Sequence, residues 1–399
     1  MRGNVNSLGD SLTLTAGKFP EKTALINFGG ARFTWREFNI RVNKLANSLI
    51  KLGISKGDKV AYLFYNGSRF SETHYAVAKV GAVGVPLNFR LTGRELSYQI
   101  ENADTICIVY GNEFIETINS IKGNLSKVKL FVCDGEGGES VLNYEDLISG
   151  ADPEEPDVKV SLDDENLILY TAGTTGVPKG ADMRKQLLSH FPNAEMGDTY
   201  GMTEASPCTT TLRPKDALRK PASVGVPLIV CDVKIFNEKG EELPANEIGE
   251  IVNRGNFMKG YYKMPEETEA VIKDGWFYTG DLGMKDEEGF IYLVDRKKDM
   301  IVSGGENVYS KEVEEVVSTH PKVLEVAVIG LPDEKWGEVV TAVVASRPEE
   351  EITEEEIIEY SKKSLAGYKC PKIVKFIDNI PKNPAGKIVK SKLKKLYSS

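Results

Sequence analysis

The chain has 399 residues, 41% of them hydrophobic, which is enough for two or three domains with packed cores and argues against a disordered protein. A formal net charge of −9 disfavours nucleic acid as a partner of the whole chain. Five scattered cysteines without a C-x-x-C pair argue against a disulfide framework and a zinc site, and they favour a cytoplasmic protein. The absence of a bilayer-length apolar run and of an apolar leader predicts that the protein is neither membrane-spanning nor secreted.

The first third of the chain alternates between helix and strand signals. Residues 34–53 space their apolar side chains three and four apart and end in Gly53, which predicts an amphipathic helix. Strand and helix signals then alternate as far as residue 134, through KVAYLFYNG, FSETHYAVAKVGA, VGVPLN, RELSYQIENA and TICIVYG. This order predicts an α/β fold with a largely parallel, doubly wound sheet, and such sheets bind ligands at the carboxyl ends of their strands.

The pattern changes at about Gly225. Short alternating strands separated by turn pairs such as Lys239-Gly240 predict an antiparallel sheet or a small β-barrel. Beyond Asp295 the chain shows a helix, two strands and a further helix that opens with a capping box from Thr353 to Glu356. These last hundred or so residues suffice for a separate α+β domain.

Charge is concentrated near the C-terminus. Residues 349–359 carry seven glutamates, and residues 362–395 carry eleven lysines and one aspartate. Two interpretations remain open: a solvated helix followed by a solvated tail, or a tail that presents cations to a polyanionic ligand.

The stretch YTAGTTGVPKG, residues 170–180, follows the apolar run NLILY. A strand that ends in a loop rich in glycine and threonine can turn N–H groups and hydroxyls toward phosphate oxygens, and Lys179 adds a positive charge. It is not a Walker A loop, because Pro178 and Gly180 stand where that pattern needs glycine and a hydroxyl residue. On composition alone, a phosphate loop and an ordinary surface turn are both open.

Three further stretches offer groups that suit a nucleotide. YGMTE supplies an aromatic ring, a hydroxyl and a carboxylate, and YTGDLG places Asp281 just past a predicted strand, where it could accept both hydroxyls of a ribose. NPAGK holds Lys387 in a turn, although ten other lysines lie nearby. Each stretch alone is equally compatible with a structural role.

The combination is informative. YTAGTTGVPKG, YGMTE, YTGD, DRKKD and NPAGK occur in this order, and with VGAVGVPLNFRLTGREL and SGGENVYSKEVEEV the sequence resembles the adenylate-forming superfamily of acyl-CoA synthetases over nearly its whole length. The resemblance implies a large AMP-binding domain over residues 1–294 and a smaller α+β domain over residues 295–399 that moves as a lid. It also implies a two-step ligase. A carboxylic acid, expected to be a fatty acid, attacks ATP to give an acyl-adenylate and pyrophosphate, and the thiol of coenzyme A then displaces AMP.

The resemblance assigns roles to individual residues. Glu204 would hold Mg²⁺, which takes few carboxylates and keeps its waters. The residues assigned to the nucleotide are Thr174, Thr175 and Lys179 for the β- and γ-phosphates, Tyr200 for the adenine, Thr203 for the α-phosphate, and Asp281 and Arg296 for the ribose.

The resemblance also assigns the moving parts. Lys387 would sit between the acid and the α-phosphate and neutralise the charge that develops there. Asp295 matches the hinge about which the small domain swings between the two half-reactions. The swing would withdraw Lys387 and bring Gly304 and Gly305 to the thioester site.

The sequence departs from the family pattern after Gly180. About twenty residues separate the predicted phosphate loop from the tyrosine motif, whereas in the family a stretch of small-domain size, which carries most of the acyl pocket, lies between them. The histidine gate of that pocket is matched by none of the three histidines, His74, His190 and His320.

Smaller departures are Ala172, where serine is frequent, and Ser310, where proline is frequent; Ser310 is predicted to cap the helix that follows it. Three functions therefore stay open: an acyl-CoA ligase, a catalytically impaired nucleotide-binding remnant of one, and an adenylating enzyme that serves a carrier protein. A homodimer is compatible with each.

Overall fold

The computed structural model describes residues 7–170, 195, 197–206, 208–255, 257–383 and 386–398. The chain divides into two units, Met1–Tyr170 and Thr171–Ser399. The predicted boundary between residues 294 and 295 lies inside the second unit, so it stays a prediction. None of the described helices combines the length and the apolar character that a membrane crossing requires.

The first unit is built on a five-stranded parallel sheet with strand order β4-β3-β5-β6-β7, beside a separate antiparallel hairpin of β1 and β2. Its helices are α1 (Leu8–Lys18), α2 (Trp35–Lys51), α3 (Ser68–Val80), α4 (Gly93–Asn102), α5 (Ile115–Ile121) and α6 (Tyr144–Ser149). Its strands are β1 (Thr23–Ile26), β2 (Arg32–Thr34), β3 (Lys59–Leu63), β4 (Val83–Pro86), β5 (Thr105–Gly111), β6 (Leu130–Asp134) and β7 (Leu142–Asn143).

Side-chain alternation along β3 explains why both faces of this sheet are covered. Val60 and Tyr62 pack into one core with Phe38 of α2, whereas Ala61 and Leu63 pack into a second core with Ile100 of α4. Successive residues of a strand point to opposite faces, so an all-apolar strand needs helices on both sides. The doubly wound α/β prediction for residues 34–134 is therefore confirmed.

The described part of the second unit contains an eight-stranded antiparallel sheet with order β11-β12-β14-β15-β10-β9-β8, in which β13 pairs with β14. Its strands are β8 (Asp198–Tyr200), β9 (Thr210–Leu212), β10 (Ser223–Pro227), β11 (Asp232–Phe236), β12 (Gly249–Arg254), β13 (Ile272–Lys273), β14 (Trp276–Lys285) and β15 (Ile291–Arg296). Two short helices accompany it, α7 (Pro214–Ala217) and α8 (Pro265–Val271).

A second sheet follows in the same unit, with antiparallel order β17-β16-β19-β18 and β20 added parallel to β19. Its elements are β16 (Ile301–Ser303), β17 (Glu306–Val308), α9 (Ser310–Ser318), β18 (Val323–Asp333), β19 (Gly337–Ser346), α10 (Glu354–Lys362), β20 (Ile373–Phe376) and α11 (Lys390–Tyr397). Alternate residues of β18 again point into two separate cores. Val326 and Val328 pack with Val313 of α9 in one core. Ala327 and Ile329 pack with Leu393 of α11 in the other.

A charged cluster lies in the interior of the first unit. The Glu72 side chain is fully buried, and its two carboxylate oxygens accept from Arg41 at 2.7 and 3.1 Å. Arg69 approaches the same carboxylate at 3.3 Å, and the Tyr144 hydroxyl donates to it at 2.9 Å. A buried charge is tolerated only when its partners satisfy it, so Glu72 holds α2, α3 and α6 in one arrangement.

Replacing Glu72 with alanine is expected to lower the free energy of unfolding by about 3 kcal/mol, because two arginines would lose their shared buried partner. Urea unfolding followed by circular dichroism measures the change. Glu21→Ala is the matched control, since it removes an ion pair to Arg36 whose side chains are 75% and 60% exposed; its effect should stay below about 1 kcal/mol. Equal effects of the two substitutions would contradict this account.

Candidate functional site

A buried polar group joins three of the residues that the sequence predicts to hold a nucleotide. The Tyr200 hydroxyl donates to Asp281 Oδ2 at 2.7 Å, and the Arg296 guanidinium forms an ion pair with Asp281 Oδ1. Tyr200 and Asp281 are buried, at 8% and 6% exposure. The structure thus brings Tyr200, Asp281 and Arg296 together, while their roles toward a ligand stay predictions.

Strand register accounts for one of these contacts and sheet curvature for the other. Asp281 of β14 and Arg296 of β15 are directly paired across neighbouring antiparallel strands. Tyr200 ends β8, which lies four strands from β14 in the sheet order. A flat sheet with a strand spacing of about 4.8 Å would separate β8 and β14 by about 19 Å, which is further than the two side chains reach. The sheet must therefore curl, which agrees with the antiparallel sheet or small β-barrel predicted after Gly225.

The electrostatics of this group depend on burial. Burial raises the pKa of Asp281, and the Arg296 charge and the Tyr200 hydroxyl oppose that rise. Burial also raises the pKa of Tyr200 well above its usual value, so its hydroxyl keeps its proton and remains a donor. Each oxygen of an ionised carboxylate has a further lone pair, so Asp281 can still accept hydrogen bonds from a ligand that carries hydroxyls.

Thr203 and Glu204 lie on one short turn directly after β8. The turn spans Thr203–Ala205, with Thr203 exposed and Glu204 partly exposed. The Glu204 carbonyl accepts the Met258 N–H at 2.7 Å, and its carboxylate lies 3.4 Å from the Tyr261 hydroxyl. This anchoring keeps one carboxylate and one hydroxyl accessible beside Tyr200.

Glu204 provides the carboxylate that the sequence assigns to Mg²⁺. No group of three or more histidine, cysteine, aspartate or glutamate side chains that could hold a metal occurs in the described part of the chain. Mg²⁺ is usually bound by one or two carboxylates and substrate phosphates, and it keeps several waters. A single accessible carboxylate at Glu204 fits that requirement.

Lys387 sits at the base of a closed turn. The Lys387 N–H donates to Asn383 Oδ1 at 2.9 Å, and the Lys387 carbonyl accepts the Asn383 N–H at 2.8 Å. Gly386 has a φ of +79°, a conformation that glycine adopts without strain. The backbone of Lys387 is therefore fixed while its side chain remains partly exposed.

Gly304 and Gly305 form the two-residue turn between β16 and β17. Their φ angles are +62° and +85°, the pattern of a tight hairpin turn that favours glycine at both positions. A Cβ atom on Gly304 would lie 2.9 Å from the Trp336 ring, so the indole also requires glycine there. The ammonium groups of Lys335 and Lys372 lie 4.8 and 5.0 Å from the centre of the same ring.

This arrangement combines an aromatic face, two cations and a side-chain-free turn. Such a surface can bind a nucleotide, whose base is aromatic and whose phosphates are anionic. Sequence reasoning found the glycine pair but missed Trp336 and its two lysines. The signal that could have found them is weak, because Trp336 is thirty-two residues from Gly304 in the chain.

The prediction that Ser310 caps α9 is wrong. The helix begins at Ser310, and the residue at its N-cap position, Tyr309, makes no side-chain cap. The Ser310 hydroxyl instead donates to Asp295 Oδ2 at 2.9 Å, and the same oxygen accepts the Lys311 N–H at 3.3 Å. Asp295, fifteen residues earlier in the chain, thus supplies the cap that the sequence assigned to Ser310.

Several predicted residues fall outside the described part of the chain. They include His190, the predicted join after Gly180 and the whole predicted phosphate loop. The predicted site residues in that loop are Thr174, Thr175 and Lys179. Of the described site residues, the contacts join Tyr200, Asp281 and Arg296, whereas Lys387 and the Gly304–Gly305 turn each form a local group of their own.

Two protein families match this chain. The description "AMP-binding enzyme" matches residues 12–186 and 181–262, and "AMP-binding enzyme C-terminal domain" matches residues 312–387. The two stretches of the first match overlap at residues 181–186, next to the predicted join. Both halves of the predicted domain pair are therefore recognised.

Named relatives align along nearly the whole chain. A feruloyl-CoA synthase from Amycolatopsis is 32% identical, with 95% of this chain and 96% of that protein covered. The long-chain-fatty-acid–CoA ligase FadD13 from Mycobacterium tuberculosis is 32% identical, with 92% and 94% covered. The first alignment runs over 489 positions and this chain has 399 residues, so at least 90 positions have no counterpart here.

Solved structures agree in fold. The ATP-bound structure of MatB from Rhodopseudomonas palustris has a TM-score of 0.84 and 26% sequence identity, and 99% of each chain is covered. These matches extend over both family regions and over the strands that carry Tyr200, Asp281 and Arg296. The chain belongs to the family of adenylate-forming AMP-binding enzymes.

Proposed function

We propose that this protein is an ATP-dependent acyl-CoA ligase, an acid–thiol ligase that activates a carboxylic acid as its acyl-adenylate and transfers the acyl group to coenzyme A. The observation that carries the proposal is the Asp281 carboxylate held between Tyr200 and Arg296 in a member of the AMP-binding family. That group presents acceptors for ribose hydroxyls beside an aromatic ring. We further propose that it works in the cytoplasm, as a monomer or a homodimer.

The acyl substrate proposed here is a carboxylic acid. Relatives of similar identity are named for ferulate, for long-chain fatty acids and for 2-succinylbenzoate, which share only a carboxylate. A fatty acid is our first candidate, and the aromatic acids are the alternatives to test beside it.

Nucleotide binding would use the residues around β8. Asp281 accepts the ribose hydroxyls, Arg296 keeps that carboxylate ionised and oriented, and the Tyr200 ring packs against the adenine. Thr203 offers its hydroxyl to the α-phosphate, and Thr174, Thr175 and Lys179 would hold the outer phosphates. Glu204 would hold Mg²⁺, which supplies positive charge to the phosphates when bound.

Lys387 would stabilise the first transition state. When the acid attacks the α-phosphate, negative charge builds on the phosphoryl oxygens, and a fixed cation there lowers the barrier. The Asn383 turn fixes the backbone of Lys387, so little reorganisation is needed once its side chain reaches the phosphate.

Thioester formation would use the turn of Gly304 and Gly305. Without side chains the turn lets the slender thiol arm pass close to the backbone. Trp336, with Lys335 and Lys372 beside it, offers a stacking face and positive charge for the nucleotide end of coenzyme A.

A second candidate is a catalytically impaired remnant that still binds nucleotide. The observation that favours it is the loss of at least 90 aligned positions relative to a named relative. The resemblance places most of the acyl pocket in that stretch. A chain without this pocket would keep AMP affinity and lose turnover.

Exchange of labelled pyrophosphate into ATP, measured with a panel of fatty and aromatic acids, separates the two candidates. The ligase predicts acid-dependent exchange and a CoA thioester detectable by mass spectrometry. AMP binding without exchange for any acid would establish the remnant. Absence of both binding and exchange would contradict the two proposals together.

Asp281→Asn is expected to weaken AMP binding roughly tenfold to a hundredfold, because charge-assisted hydrogen bonds to the ribose are lost. In the parent, the affinity for AMP should be highest while Asp281 is ionised and should fall as the pH drops through the pKa of Asp281. Because burial raises that pKa, the fall should occur at a higher pH than for an ordinary aspartate. Calorimetry across pH measures both effects. Asp232→Asn, at an exposed ion pair with Arg254, is the control and should leave affinity and its pH dependence unchanged.

Lys387→Ala is expected to reduce pyrophosphate exchange by at least about a hundredfold, because its charge acts mainly on the transition state. AMP affinity should change by less than about twofold, as for a contact absent from the ground state. Lys395→Ala, at an exposed lysine in the same basic segment, controls for loss of charge. Parent-like exchange in Lys387→Ala would refute the assignment.

A further inference from the structure

A buried chain of polar contacts runs from Asp295 to the start of the last helix. Lys390 Nζ donates to Ser310 Oγ at 2.6 Å, and Ser310 Oγ donates to Asp295 Oδ2 at 2.9 Å. Lys390 Nζ also pairs with Glu314 at 2.8 Å. These contacts link β15, α9 and α11, and the residues that make them span positions 295 to 390.

Asp295 belongs to two parts of the second unit at once. Its backbone pairs with Leu282 across β15 and β14, within the antiparallel sheet. Its carboxylate is bound by groups that follow it in the chain, the N–H of Arg296 at 2.7 Å and the hydroxyl and N–H at the start of α9. Rotation of the chain at Asp295 must therefore either carry this carboxylate along or break its contacts.

Burial makes the link specific to Ser310. Ser310 is fully buried and Asp295 is 5% exposed. Water therefore does not reach Asp295 to take over the hydrogen bond that the Ser310 hydroxyl donates. One hydroxyl serves as acceptor for Lys390 and as donor for Asp295, which a proline or alanine at this position could not do. Glu314 holds the other side of the ammonium group and also accepts the Val328 N–H at 2.8 Å.

Lys390 in turn positions the turn that carries Lys387. The turn is closed by a bridge between Lys382 and Ile388 and by the Val389 N–H, which donates to the Pro381 carbonyl at 2.9 Å. α11 begins at the next residue, Lys390. Anchoring Lys390 therefore fixes the base of the Lys387 turn relative to Asp295.

We propose that Ser310 is a positioning residue that latches Asp295 to Lys390 and thereby sets how the region after Asp295, with Lys387, is placed for each half-reaction. The proposal rests on the proposed two-step ligase, in which Lys387 serves the first half-reaction and the Gly304–Gly305 turn the second. Removing the hydroxyl shifts the balance between the two arrangements rather than the chemistry of either one.

The test compares Ser310→Ala with the parent, with Ser310→Thr as the variant that restores a hydroxyl. Ser318→Ala is the matched control, because Ser318 lies on the same helix and its hydroxyl donates to the Glu315 carbonyl. Two readouts are taken on the full chain: the rate of tryptic cleavage after residues 296, 297 and 298, and the ratio of pyrophosphate exchange to acyl transfer from a supplied acyl-adenylate to coenzyme A.

Ser310→Ala is expected to raise cleavage at residues 296–298 roughly fivefold, without a matching rise at other lysines and arginines, and to change the ratio of half-reactions at least about threefold. Ser310→Thr and Ser318→Ala should resemble the parent in both readouts. Unchanged cleavage, cleavage that rises everywhere, or an equal fall of both half-reactions would overturn the proposal.

Hinge cleavage does not need activity, so it separates failure of the latch from failure of the ligase. If the chain has no turnover, the cleavage rates alone decide. If threonine at position 310 prevents folding, Lys390→Met replaces it as the second variant. Ser310→Ala and Lys390→Met should then be non-additive in cleavage rate, because both break one chain of contacts, and additive effects would refute the latch.

Discussion

The contact between the Tyr200 hydroxyl and the Asp281 carboxylate constrains much of the second unit. It joins strands that are four positions apart in the sheet order, so it can exist only if the antiparallel sheet curls. The curl brings the turn of Thr203 and Glu204 to the strand that carries Asp281. A family member with the same strands laid flat would keep every motif and lose the site.

The end of β15 serves two purposes because neighbouring residues in a strand face opposite ways. Arg296 turns toward Asp281, whereas Asp295 turns toward the start of α9. The contact with Asp281 and the contact with α9 thus start from residues that are one peptide bond apart. Any change in backbone at this point affects both contacts, so the proposed ribose contact and the proposed hinge would be coupled.

Local patterns predicted the first unit well because its elements are set by short-range periodicity. The spacing in α2, the threonine at its start and the alternation in β3 are all visible within a few residues. The Ser310 cap failed because the competing partner, Asp295, is fifteen residues away. Trp336 beside Gly304 and Tyr261 beside Glu204 also escaped prediction, since nothing near them in the sequence marks the contact. Roles for Tyr200, Asp281 and Lys387 came from the resemblance, because each pattern alone also fits a structural turn.

The packing of Trp336 on the glycine hairpin has a practical consequence. The chain contains three tryptophans, and the other two, Trp35 and Trp276, pack in different cores. Replacing those two with phenylalanine would leave a single indole, which lies next to Gly304 and within 5.0 Å of the ammonium groups of Lys335 and Lys372. Its emission is sensitive to the charge and water around it, so the protein carries a built-in optical reporter at the turn assigned to thioester formation.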